Sequence, residues 1–175
     1  SMYLNLNILK KYKYLCFVED DNFIFPKAII KCEKFLDDNN TYNSSNGKAF
    51  LFIKKKNYKY LNIYNLPNSL VSKNLLIRAN RYKGGIFYYS LFRKKMMIKI
   101  LKHIIKIKDN NLSEILFNYL SIKYGKHKNL NNIYLAREYP RPKIYNIPPA
   151  LEWIKNKKLF DEIILIKKIL SKKMK

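Results

Sequence analysis

Apolar positions change their period along this chain, from two near the N-terminus to three or four beyond the middle. Tyr14-Leu15-Cys16-Phe17-Val18 and Phe23-Ile24-Phe25 are short, aromatic and β-branched runs on either side of Glu19-Asp20-Asp21-Asn22. That combination predicts two strands around a tight polar turn. Pro26 follows, where a first helical residue can do without its N–H. Ala28, Ile29, Cys32, Phe35 and Leu36 then recur at helical spacing. Asp37 to Asn46 reads as a polar loop ending at Gly47, and Ala49 to Ile53 and Tyr60 to Tyr64 read as two further strands. The order is ββαββ, a small antiparallel sheet with one helix against it.

Past Pro67 the pattern becomes helical. Asn68 or Ser69 can cap a segment that runs to about Arg81 and stops at Gly84-Gly85. Residues 87–108 read as one long helix. Asn111-Leu112-Ser113-Glu114 has the form of a capping box, and Leu112, Ile115, Leu116, Tyr119 and Leu120 give the following helix one apolar face up to Gly125. Residues 126–147 show neither period. Tyr139-Pro140-Arg141-Pro142-Lys143 within them favours an extended, polyproline-like path, because both prolines fix φ. Pro148-Pro149 opens a short helix containing Trp153, and a last helix runs from about Leu159 to Lys173. Asp161 and Glu162 stand at its start and Lys172 and Lys173 at its end, as the helix dipole favours.

The expected fold class is therefore α+β. A sheet-plus-helix part spans residues 1–67, and a basic helical part spans 68–175 with the extended segment 126–147, the two forming one compact unit.

Charge adds what periodicity does not. The 175 residues carry 36 Lys and Arg against 12 Asp and Glu, a formal +24. Residues 1–67 hold 11 basic and 6 acidic side chains, and residues 68–175 hold 25 and 6. Such an excess repels itself unless a polyanion neutralises it. Hydrophobic content of 48% excludes an ordinary disordered basic tail. Only Arg78, Arg81, Arg93, Arg137 and Arg141 are arginine. Abundant Lys, Asn, Ile, Tyr and Phe point to an AT-rich genome, which accounts for lysine over arginine but not for the shortage of acids.

Three groups of cations are candidates for contact with nucleic acid. In the helix expected over 87–108, Lys95, Lys99, Lys102 and Lys106 fall on one stripe opposite Met96, Met97, Ile100, Leu101 and Ile104. The turn from Arg78 to Gly85 gathers Arg78, Arg81 and Lys83 beside Tyr82 and two glycines, a set able to grip phosphate and stack on bases. Arg137, Arg141 and Lys143 lie among Tyr134, Tyr139 and Tyr145 in the extended segment, which suits a groove of structured RNA. A globular body with long basic extensions resembles the general architecture of ribosomal proteins. That resemblance implies rRNA and neighbouring proteins of a ribonucleoprotein as partners, here in an organellar ribosome.

Other chemistry has little to work with. Cys16, Cys32, His103 and His127 match no zinc spacing, and the two cysteines fit core thiols in a reducing compartment such as a mitochondrial matrix. The four glycines form no phosphate-binding loop, so no cofactor and no catalytic or metal site is expected. One alternative is a small nuclease or RNA-modifying enzyme built on Glu19, Asp20 or Asp21. Another is a protein-interaction or membrane-surface module using the basic helix. No apolar run approaches the roughly 20 residues that span a bilayer. Ser1 ahead of Met2 suggests a cleavage remnant or a trimmed fragment, and the acid-free residues 2–18 faintly resemble a transit peptide but read better as ending in a strand.

Overall fold

In the computed structural model, which describes residues 11–20, 22–53, 59–138 and 155–171, two segments with weak hydrophobic patterns form the longest strands. They are β3 (Tyr42–Ile53) and β6 (Lys126–Glu138), and they pair in parallel, with Ser44 opposite His127 and Ala49 opposite Leu135. The expected loop at 37–46 therefore ends at about residue 41, and the first part of the aperiodic segment 126–147 is a sheet strand.

The physical reason is that their polar side chains are buried with partners from distant parts of the chain. Ser44 Oγ lies 2.9 Å from His127 Nδ1, Ser45 Oγ donates to the Cys32 carbonyl, and Asn46 Nδ2 donates to Ser90 Oγ at 3.0 Å. Each hydrogen bond offsets part of the cost of burying a polar group, although Asn46 Oδ1 has no partner among the described residues. Burial pushes the His127 imidazole down to about 3, with the Pro67 carbonyl opposing the shift, so the ring is neutral in its slot.

Gly47 sits where β3 shifts register against β6. A Cβ there would stand 2.4 Å from the Asn132 carbonyl oxygen and 2.8 Å from Tyr134 Cβ, so no other residue lets the strands approach this closely. A further shift, between Lys48 and Ala49, leaves Tyr134 between the pairs Lys48–Ile133 and Ala49–Leu135, and both Tyr134 and Leu135 are buried.

Around these two strands the sheet grows outward on both sides. On one edge of β3, β4 (Lys59–Asn65) pairs antiparallel with its second half and β5 (Leu91–Arg93) with Ser44 and Ser45. β1 (Tyr14–Leu15) continues beyond β5, and β2 (Asn22–Ile24) lies outside β6, with Phe23 opposite Ala136. The architecture is α+β, as expected. The sheet is mixed rather than purely antiparallel, and it draws β5 and β6 from beyond Pro67.

Helix α1 (Pro26–Asp38) starts at Pro26 and buries Ala28, Cys32 and Leu36, one residue per turn along one face. These pack with Ala49, Leu91, Tyr134 and Leu135. Phe92, the residue after Leu91, instead joins Phe87, Ile100, Leu116, Phe117 and Leu120 in a second core. Successive residues of a strand point to opposite faces, so α1 covers one face of the sheet at β5 and the helices of the second half cover the other.

Those helices are α2 (Leu75–Arg81), α3 (Lys94–Ile104), α4 (Asn110–Tyr124) and α5 (Lys157–Ser171). The long helix expected over 87–108 is replaced by a 3-10 turn (Phe87–Tyr89), β5 and then α3. Phe87, Tyr89, Ser90, Leu91 and Phe92 are all buried, a run with no solvent face for a surface helix to present. Two caps also move. Asn74, not Asn68 or Ser69, caps α2 by accepting from Leu76 N and Ile77 N, and Asp109 caps α4 by accepting from Leu112 N at 2.8 Å. The helix expected at Pro148-Pro149 and Trp153 lies outside the described residues. No helix among the described residues is long and apolar enough to cross a membrane.

Candidate nucleic-acid interface

The lysine stripe emerges as its spacing demands. Met97, Ile100, Leu101 and Ile104 anchor α3 in the core, and Lys95, Lys99 and Lys102 are exposed on it, with Lys106 exposed in the turn that follows. One ion pair joins two described residues, Lys13 to Asp37 at the N-terminal end of the sheet, so no described carboxylate neutralises the stripe. The Lys99 ammonium sits 4.2 Å from the centroid of the Tyr124 ring.

The arginines divide into two uses. Arg78, expected among the contact residues, is 3% exposed. Its Nε donates to the Ile122 carbonyl at 2.9 Å, Nη1 to the Ser72 and Lys73 carbonyls at 2.9 and 2.8 Å, and Nη2 to the Lys123 carbonyl at 3.1 Å. It closes the C-terminal end of α4, where carbonyls lack helical partners, and is not available to a ligand. Arg93 serves α1 in the same way, donating from Nε to the Tyr42 carbonyl at 2.8 Å and from Nη2 to the carbonyls of Leu36 and Asn39. Arginine's planar fork suits several carbonyls at once. Lys123 is a third such cation, its ammonium on the carbonyls of Ile169 and Leu170 at the end of α5. In a chain short of acids, backbone carbonyls are the acceptors these cations find.

Arg81 and Lys83 remain exposed. The turn that carries them is held from a distance: Asn68 Nδ2 donates to the Arg81 carbonyl at 2.9 Å, and Lys83 N donates to Asn68 Oδ1 at 3.3 Å. The Tyr82 hydroxyl donates to the Gly85 carbonyl, closing the turn from its other side. Gly84 and Gly85 have φ of 91° and 101°, the left-handed region that glycine enters without strain.

Beside this turn lies a cleft of about 330 Å³ in which two of the sequence candidates meet. Lys83, Gly84 and Gly85 of the turn line it together with Arg137 from β6. Leu66, Ile86 and Tyr89 complete the lining, and Leu66 and Tyr89 are each 2% exposed. The Arg137 guanidinium carbon is 5.7 Å from the Tyr89 ring centroid, and the Tyr89 hydroxyl donates to Glu19 Oε2 at 2.6 Å. Leu66, Ile86 and Tyr89 carry no local mark of a site, since only the fold brings them to the glycines. Arg141 and Lys143 lie outside the described residues.

The carboxylates singled out from the sequence are placed differently. Glu19 accepts from Tyr89 and, at 2.8 Å, from Asn22 Nδ2; Asp20 is exposed; Asp21 lies outside the described residues. Glu114 is raised from the ordinary carboxylate range by burial and by the Glu19 charge, with Arg137 opposing. Among the described residues no group of three or more His, Cys, Asp or Glu side chains comes together as a metal site. Both cysteines are thiols, and burial raises Cys32 to about 11, far from a reactive thiolate.

No protein-family model matches the chain, and no curated protein is similar to it.

Proposed function

We propose that this protein is a structural RNA-binding protein, an rRNA-contacting subunit of an organellar ribosome. The observation that carries the reading is the outer face of α3 and its following turn, where Lys95, Lys99, Lys102 and Lys106 stand exposed opposite a buried apolar face. A row of ammonium groups that forms no ion pair with a described carboxylate is attracted to a phosphate backbone through counterion release, whatever the base sequence. Arg81, Lys83 and Arg137 extend the cationic surface with groups that can grip phosphate bidentately or as point charges.

The organellar assignment rests on composition. Thirty-six basic residues against 12 acidic ones exceed what a freely diffusing domain needs for solubility, and the AT-coded residue usage fits a protein translated from, or evolved beside, an AT-rich genome. A mitochondrial matrix is the compartment that fits both. The experiment is sedimentation of the native protein through a sucrose gradient at two salt concentrations. The reading expects co-migration with ribosomal subunits at low salt and release at high salt. Migration at the top of the gradient at low salt, in a lysate with intact ribosomes, overturns it.

A further inference from the structure

We infer that the cleft between the glycine turn and β6 receives one unpaired nucleotide of an RNA strand, its phosphate at Lys83 and Arg137 and its base against Leu66 and Ile86. This rests on the RNA-binding reading and gives it a specific ligand. A phosphate group alone is far smaller than the cleft, whose 330 Å³ stands at the lower end of the range for small-molecule pockets. The α3 stripe offers charges along a convex helix; the cleft offers charge at a concave site with an apolar lining. That division matches how proteins read RNA, tracking the backbone with cations and taking single unstacked bases into pockets.

Three features make the site a built one. The turn is held in shape by the Asn68 amide and the Tyr82 hydroxyl, so its geometry does not depend on a ligand. At Gly84 an added Cβ would meet no heavy atom within 4 Å, so open space lies beside the backbone there, and a strand can come close to a residue that has no side chain. Arg137 stands over a Tyr89 ring that is itself fixed by the Glu19 carboxylate. Lys83 lines the same cleft, so two cations of different geometry share one opening.

A free nucleotide shares this chemistry, and the test separates the two sources. Fluorescence anisotropy with the full chain at physiological salt would compare an RNA hairpin bearing one unpaired uridine with the same hairpin fully paired, with uridine monophosphate as competitor. The inference expects a preference of about tenfold for the unpaired uridine, the scale of one charge-assisted contact. Lys83→Gln, an exposed position, abolishes that preference by weakening the unpaired hairpin more than the paired one, whereas Lys102→Gln weakens both hairpins alike. Equal binding of the two hairpins by the unaltered protein, or a preference that survives Lys83→Gln, overturns the cleft assignment and leaves the RNA reading standing. Displacement of the hairpin by micromolar uridine monophosphate overturns it in favour of a free nucleotide. Binding of neither hairpin overturns the RNA reading along with it.

Discussion

The ammonium of Lys123, at the end of α4, lies on the carbonyl of Leu170, at the end of α5. Glu162, in the second turn of α5, accepts from the backbone N–H groups of Lys108 and Asp109 just ahead of α4, both at 3.1 Å. The earlier contact on α4 is also the earlier one on α5, so the helices run in the same general direction. Parallel neighbours place like ends of their dipoles together. Glu162 of α5 serves the positive end of α4, and Lys123 of α4 serves the negative end of α5. Arg78, on the carbonyls of Ile122 and Lys123, adds a second cation there.

Removing the cation while keeping the length of the side chain tests this arrangement. Lys123→Met is expected to cost about 1 to 3 kcal/mol, since it leaves the Ile169 and Leu170 carbonyls without their charged donor. Urea denaturation followed by far-UV circular dichroism measures it. A change under a few tenths of a kcal/mol would mean that the ammonium does not hold α5.

Glu162→Gln removes the charge and leaves one acceptor oxygen for two backbone N–H groups. About 1 kcal/mol of stability should be lost at low ionic strength, with a smaller loss in high salt, because the contribution is that of an anion at a helix N-terminus. Equal losses at both salt concentrations would contradict the dipole account.

Arg78 and Arg81 stand three residues apart and should behave oppositely. Arg78→Lys replaces a fork over four carbonyls by a point donor and is expected to destabilise by about 2 to 4 kcal/mol while leaving RNA affinity per folded molecule unchanged. Arg81→Gln should leave the melting temperature within about a degree, as surface changes do, and weaken RNA binding. Paired melting and binding curves decide, and the reverse pattern would contradict the assignment.

His127 makes stability depend on pH. The unfolded imidazole takes up its proton as pH falls through 6.5, whereas the folded one stays neutral until about 3. Its contribution is therefore fully present above 6.5 and is lost as pH falls toward 3, at up to about 1.4 kcal/mol per pH unit. Urea midpoints between pH 4.5 and 6.5 should fall more steeply for the unaltered protein than for His127→Gln. Parallel slopes would show that the ring titrates normally in the folded state.

These residues also show where the sequence was legible. α1 could be read from Pro26 and the spacing of Ala28, Cys32 and Leu36, and the two faces of α3 from its 3.6 period, because there local pattern and tertiary burial agree. Ala49 to Ile53 could also be read as strand, but the first half of β3 and the whole of β6 could not. Ser44, Ser45 and Asn46 look like loop residues until His127, the Cys32 carbonyl and Ser90 arrive from elsewhere in the chain to satisfy them. Arg78 misled for the same reason, since two of its carbonyls lie 44 and 45 residues away. Lys83 and Arg137 were each legible as cations, but only the parallel sheet brings them to one cleft.

The most direct test of the central claim, that the exposed cations meet a phosphodiester backbone, is the salt dependence of binding to a folded RNA. Log K should be measured against log salt for the unaltered chain and for the quadruple variant with Lys95, Lys99, Lys102 and Lys106 changed to Gln. If each lysine neutralises one phosphate, the variant's slope should be shallower by about 3 to 4. A variant that binds with the original slope would place the RNA elsewhere on the protein, or nowhere.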